Sequence, residues 1–239
     1  MAGESVKKDS QQSAKKRQVA LLFELEHSAV AGRAALFDVC KRLLTERDVE
    51  FTEALFVRHF QKLSIEKCIA ELLEAVGKKR LSAAKLATEI AEEVKTALSD
   101  KRLKMSSGFS KLIEQAKAEN AVFGALTALP KEVAEALVKR LGLDGVLAKI
   151  NYAAPEADCF PTADAWLKLA KAVAVPPQGC IVITTSNSSC KAALSGGMRP
   201  VAAPDEFTGF QDFGGADLLV EKLNDEAATA IISLMIQSR

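Results

Sequence analysis

The stretch Leu21-Leu22-Phe23-Glu24-Leu25-Glu26-His27-Ser28-Ala29-Val30 decides the fold. An apolar run from Val19 to Phe23 breaks abruptly into carboxylates at Glu24 and Glu26, followed by short polar residues. That pattern reads as a buried parallel strand whose C-terminal end opens into a loop. In open α/β sheets this is the end where ligands sit, and acids placed there can converge once the strand has ended. The alternative is a buried strand that simply meets solvent at Glu24.

Outward from this strand, the chain alternates between helix and strand patterns. Residues 1–17 are polar, basic and without periodicity, so they read as a flexible tail. After Val30 comes a block with no strand pattern, residues 31–105. Its helical faces include Ala34, Leu36, Phe37, Cys40, Leu43 and Leu44, with Thr52 and Ser64 as N-caps and Gly77 as a stop. From Ser106 a helix to Ala118 leads into a second buried strand, Ala121 to Thr127. Pro130 suits the first turn of a helix that Gly142 ends. Leu143 to Ile150 is a short apolar segment. Thr162 or Asp164 opens a helix reaching Val173, and Cys180 to Thr184 is the clearest strand of the chain. Pro200 to Ala203 and Asp217 to Val220 read as further strands, and Asp225 to Ile236 as a terminal helix. Strands separated by helices imply parallel pairing, so the expected fold is α/β, a doubly wound parallel sheet. The all-helical block is an insertion after the first strand. The expected division is a tail at 1–17, a core at 18–30 and 106–239, and a helical cap at 31–105.

Composition narrows the function. The chain of 239 residues is 49% hydrophobic, 26% charged and 5% aromatic, which describes a globular protein rather than a disordered one. A formal net charge of +1 gives no whole-molecule reason to expect nucleic acid or an anionic membrane. No apolar run reaches membrane-spanning length and no signal-peptide pattern precedes Val19, so the cytoplasm is the expected compartment. The five cysteines, Cys40, Cys68, Cys159, Cys180 and Cys190, form no C-x-x-C pair and read as buried thiols. His27 and His59 are too few and too far apart for a histidine-rich metal site.

The order of these landmarks resembles the haloacid dehalogenase superfamily, in its phosphatase and β-phosphoglucomutase branch with a helical cap. Phe23-Glu24-Leu25-Glu26-His27-Ser28 aligns without a gap with that family's F-D-x-D-G-T strand end. Met105 to Gly108 resembles the return from cap to core, and Leu126-Thr127-Ala128 the second motif. Phe160-Pro161-Thr162-Ala163-Asp164 resembles the K-P-x-P-D segment. Cys180 to Met198 matches the strand, acidic loop, helix and glycine-rich end of the fourth motif, and Pro204-Asp205-Glu206 and Gly215-Ala216-Asp217 continue it.

The resemblance implies roles for these positions. Glu24 stands for the nucleophile and, with it, for a magnesium ligand. Glu26 stands for the acid/base, and Thr127 for the group that holds the phosphoryl oxygens. The same alignment shows what has changed. Both acids are a methylene longer than the family's aspartates, which displaces the reacting oxygen by roughly an ångström, and a shift of that size can cost about a hundredfold in rate. His27 replaces a glycine, Phe160 replaces the lysine, and Thr184 and Thr185 replace the acidic pair. Phosphoryl transfer depends on positioning and on cations that neutralise the spreading negative charge. With Thr184 and Thr185 in the acidic positions the carboxylate supply falls to Glu24 and Glu26, and without a lysine at Phe160 no fixed cation is expected to offset them.

Other residues are candidate replacements. Lys168 and Lys171 follow on the next helix, and Glu156 and Asp158 precede Phe160. His27 is a candidate acid/base group, and His59 falls in the cap. The hydroxyls from Thr184 to Ser189 either cap a helix or cradle an anion. Cys190 is either a small packing residue or a thiol activated at the helix start.

The expectation is a catalytically degenerate, pseudoenzyme-like member of the fold, kept for binding or scaffolding through the cap or the basic tail. The alternative is a slow or repurposed phosphohydrolase using Glu24 and Glu26. No cofactor is expected unless activity remains, in which case it is magnesium. A tail-borne nucleic-acid or ribosome-associated role is a third and weaker reading, and nothing in the sequence demands a second copy of the chain.

Overall fold

The computed structural model describes residues 17–60, 64–100, 102–154 and 160–238. Its centre is a parallel six-stranded sheet: β1 (Ala20–Glu24), β2 (Val122–Thr127), β3 (Leu147–Tyr152), β4 (Cys180–Thr184), β5 (Arg199–Ala202) and β6 (Leu218–Leu219). The order across the sheet is β3-β2-β1-β4-β5-β6. β1 therefore lies between β2 and β4, with Leu22 opposite both Gly124 and Val182. Every residue of β1 is buried, as a central strand covered on both faces requires.

The two faces of β1 belong to different layers. Leu21 and Phe23 pack into a cluster with Phe109, Leu112, Leu137 and Ile231. These come from α5 (Ser107–Ala118), α6 (Lys131–Arg140) and α9 (Asp225–Gln237). Ala20 and Leu22 face the opposite cluster, with Trp166 and Leu169 of α7 (Ala163–Ala172) and Ala193 of α8 (Asn187–Ser195). Gly108 lets α5 come close to the chain before α9, since a Cβ there would overlap the Leu223 carbonyl oxygen.

Between β1 and β2 stand the helices of the cap: α1 (Gly32–Thr45), α2 (Glu53–His59), α3 (Ile65–Ala75) and α4 (Ala83–Ser99). They gather around a cluster of their own that includes Phe37, Leu43, Phe51, Phe56, Ile69, Leu72 and Ile90. The insertion opens and closes at one place, where Ser106 N donates to the Ala29 carbonyl at 3.3 Å.

Local chemistry accounts for most element ends. Thr52, Ser64, Ser82, Ser106, Thr162, Ser186 and Asn224 each accept a backbone N–H with the side chain at a helix start. Gly77 and Gly142 follow helix ends in the left-handed region that glycine adopts without strain.

One element differs from the sequence reading. The apolar segment 143–150 is in fact the approach to and the body of β3, which runs from Leu147 to Tyr152. β3 pairs only with β2, so its side chains are half-buried or exposed and lack the continuous apolar run that marks the inner strands. Residues 1–16, and Glu156, Asp158 and Cys159, lie outside the described residues.

Candidate functional site

In this strand order the chain winds away from β1 in both directions, so the crevice beyond β1 and β4 is the switch point of the sheet. Glu24 ends β1, Thr184 ends β4 and Thr185 follows it. Thr127 ends β2 on the other side of β1. Directly after Glu24 the backbone makes a single π-helical turn, Leu25–Ala29, which keeps Glu26 at the strand end instead of letting the loop run outward. Such turns recur at functional sites.

Neither acid meets solvent. Glu24 is 3% and Glu26 6% exposed, which removes the reading of a strand that simply surfaces at Glu24. Both Glu26 oxygens are engaged, Oε2 by the Thr127 hydroxyl at 2.8 Å and Oε1 by the Ala128 N–H at 2.8 Å. Thr127 in turn accepts the Leu129 N–H at 3.1 Å. Glu24 Oε2 accepts from the Thr185 hydroxyl at 3.3 Å, and the Thr185 backbone also favours its charge. Ser189 lies near enough to favour its charge, yet neither Ser189 Oγ nor Glu24 Oε1 has a well-formed hydrogen bond.

The site contains a cation that the sequence did not reveal. Arg33, in the first turn of α1, donates from Nη1 to Thr185 Oγ1 at 3.0 Å and to Asp205 Oδ2 at 2.6 Å. Thr185 thus accepts from Arg33 and donates to Glu24, a chain of charge-assisted hydrogen bonds. This corrects the expectation that no fixed cation offsets the acids. Arg33 reaches the crevice because Gly32 presses against the π-helical turn, where a Cβ would overlap the Glu26 carbonyl oxygen.

The electrostatics follow from burial. Desolvation raises the pKa of Glu24, with Arg33 and the Ser189 and Thr185 hydrogen bonds opposing it. Burial also raises Glu26, against the pull of Ala128 and Thr127. His27 is pushed well below its ordinary 6.5 by burial and by the Arg33 charge, and its Nδ1 is enclosed without a partner. It is therefore a neutral ring beside a guanidinium, not a charged acid/base group.

The remaining candidates lie elsewhere. Thr184 donates its hydroxyl to the Val201 carbonyl at 3.3 Å. Phe160 packs against the apolar cluster around Trp166 and supplies no charge. Lys168 is exposed and paired with Asp164 at 2.7 Å, and Lys171 is exposed, so neither reaches the acids. Ser186 caps α8 by accepting the Ser189 N–H at 3.3 Å. Cys190 is buried and its thiol pKa is raised, chiefly by that burial, so it packs and is not activated. His59 ends α2 in the cap.

The magnesium that the resemblance implies does not fit this donor set. Magnesium requires several oxygen ligands, mainly carboxylates and water. Here Thr185 offers a neutral hydroxyl, both Glu26 oxygens are already taken, and a guanidinium stands beside Glu24. Among the described residues no cluster of three or more His, Cys, Asp or Glu is placed to hold a metal ion.

No family model matches the chain. Protein CbbY of Rhodobacter capsulatus is 28% identical over 130 residues, a match that spans 53% of this chain and 57% of that protein. Among solved structures, CbbY of Rhodobacter sphaeroides in complex with phosphate superposes with a TM-score of 0.72 at 18% identity, over 86% of this chain and 95% of that one. β-Phosphoglucomutase of Clostridium difficile gives 0.71 at 17% identity, over 92% and 97%. A haloacid dehalogenase-like protein of unknown function from Agrobacterium tumefaciens gives 0.74 at 17%, over 91% and 99%. The class that these likenesses define is one of fold: a haloacid dehalogenase-like α/β core with helices inserted after the first strand. Within that class the chain shares the overall fold of the CbbY and β-phosphoglucomutase structures.

Proposed function

We infer that this protein uses a phosphohydrolase fold for binding or scaffolding, and that its hydrolytic site is retired. The observation that carries this reading is the chain Arg33–Thr185–Glu24, which satisfies the crevice with the protein's own charge. A phosphate ester entering there would meet one carboxylate tied to Thr185 and another tied to Thr127 and Ala128. It would also lack the lysine lost at Phe160. The cap is the proposed contact surface, together with the basic tail. An open cleft of about 860 Å³ lies on the cap, lined by Phe37, Lys41, Asp48, Glu50 and Phe51 among others, and by none of the motif residues. Its mixture of rings and charges suits a protein partner more than a small phosphate.

The test is hydrolysis of a generic aryl phosphate, with and without magnesium, by this chain and by Glu24→Ala. Equal background rates in all arms are expected. Turnover that requires both magnesium and Glu24 would overturn the reading.

One observation favours the second reading, a slow phosphohydrolase. Glu26 is anchored by two donors and binds its proton more tightly than an ordinary glutamate, as a general acid must. In that case Glu26→Gln would abolish a measurable basal rate, whereas a retired site has no such rate to lose.

A further inference from the structure

The charge that balances the acids of this crevice belongs to the chain itself. We propose that Arg33 occupies the electrostatic place of a divalent cation, so that the native site excludes magnesium and accepts it only when Arg33 loses its charge. The proposal rests on the reading of a retired site, and it adds the residue that closed it.

Three features of the site support it. First, Arg33 is not a loose surface side chain. It is 16% exposed and its partner Asp205 24%, and one nitrogen serves both Asp205 and Thr185. Second, its placement is built into the backbone, because Gly32 seats the start of α1 against the Glu26 carbonyl. The guanidinium enters from the cap side and binds the loops after both β4 and β5, at Thr185 and Asp205. Third, the acid beside it is under-satisfied. Glu24 Oε1 is buried without a well-formed hydrogen bond, and the Arg33 charge is the largest of the influences that oppose the cost of burying its ionised form. A divalent ion ligated by Glu24 would lie within a few ångströms of that guanidinium, and like charges at that separation repel strongly in a buried setting. Asp205 cannot turn to a metal without releasing Arg33, since its Oδ1 also anchors Phe207 N and Thr208 Oγ1 at 3.0 Å each.

An ordinary cap-to-core ion pair would share some of these features. It would make Arg33 important for stability but silent toward metals. Metal binding separates the two roles.

The experiment titrates manganese, followed by its paramagnetic resonance, into the full chain and three variants. Arg33→Gln keeps donors for Thr185 and Asp205 but removes the charge. Thr185→Asp restores an acid while leaving Arg33. The third variant combines both changes. The native chain and Thr185→Asp are expected to show no saturable binding at millimolar metal. Arg33→Gln/Thr185→Asp should bind at least about tenfold more tightly, because the acid is then unopposed. Magnesium should compete for the same site. Saturable binding by the native chain would overturn the proposal. So would equal binding by Thr185→Asp and the combined variant, since Arg33 would then exclude nothing. If the combined variant fails to fold, folded Arg33→Gln decides: tighter binding than the native chain supports the role, and equal binding overturns it. Hydrolysis of an aryl phosphate by the native chain without metal would sink the retired-site reading yet leave the exclusion of metal intact, so the two failures are distinguishable.

Discussion

Glu24 and Glu26 are the same residue two positions apart, and their surroundings give them different fates. Glu26 has well-formed donors on both oxygens, whereas Glu24 has one on Oε2 only and leans on the neighbouring Arg33 charge. Removing the Thr127 hydroxyl should therefore be costly. Thr127→Val leaves a buried carboxylate oxygen and the Leu129 N–H without partners, and about 1–3 kcal/mol of stability should be lost in urea unfolding. The raised pKa of Glu24 has its own signature. A folded state that holds the proton more tightly than the unfolded chain gains stability below the ordinary 4.5 and loses it as pH rises through the folded value. Glu24→Gln lacks this dependence. The stability of the native chain relative to that variant should therefore fall as pH rises above about 4.5. His27, whose lowered pKa acts in the opposite sense below about 6.5, is present in both chains and largely cancels. At this scale the sequence identified the acids at the end of the first strand, because strand ends and residue types are local, whereas the lost motif positions are what the resemblance implies. It could not identify Arg33, whose partners lie 152 and 172 residues away in the chain. No spacing rule marks an arginine on an amphipathic helix as the cation of a site.

The elements that present these residues depend on close approaches and caps. The π-helical turn Leu25–Ala29 and α1 meet at Gly32, where any side chain would collide with the Glu26 carbonyl. Gly32→Ala should cost about 1–3 kcal/mol in overpacking, and should also displace Arg33 from Thr185. Unfolding midpoints would report the first effect, and an arginine Nε–H resonance shifted toward its exposed position the second. Ser186→Ala removes the cap of α8 and should cost about 1 kcal/mol, with catalysis playing no part in the loss. The inner strands were legible because burial on both faces writes itself as continuous apolar sequence. β3 was not, since an edge strand with exposed Lys149 and half-buried Asn151 carries no such record.

The cap and core are joined by more than their linkers. Phe207, from the loop after β5, enters the cap cluster with its ring centroid 4.8 Å from Phe56 and 5.2 Å from Phe37. Asp205 holds both the Phe207 N–H and Arg33, so the aromatic contact and the ion pair share one turn. Phe207→Ala should cost about 3–5 kcal/mol if the cap and core unfold together. Hydrogen exchange should then quicken across α1 and α2 as well as at the turn. Faster exchange confined to residues 205–209 would show that the cap stands without it. Among the described residues no helix is long and apolar enough to cross a membrane.

The sequence by itself determined the class of fold, the central strand and the helical block after it. Each of these is written in residue type and periodicity along the chain. Only the tertiary structure decided the charge balance of the crevice. That balance arises where α1, the loop after β4 and the loop after β5 come together, and folding brings them within hydrogen-bonding distance although the chain keeps them far apart.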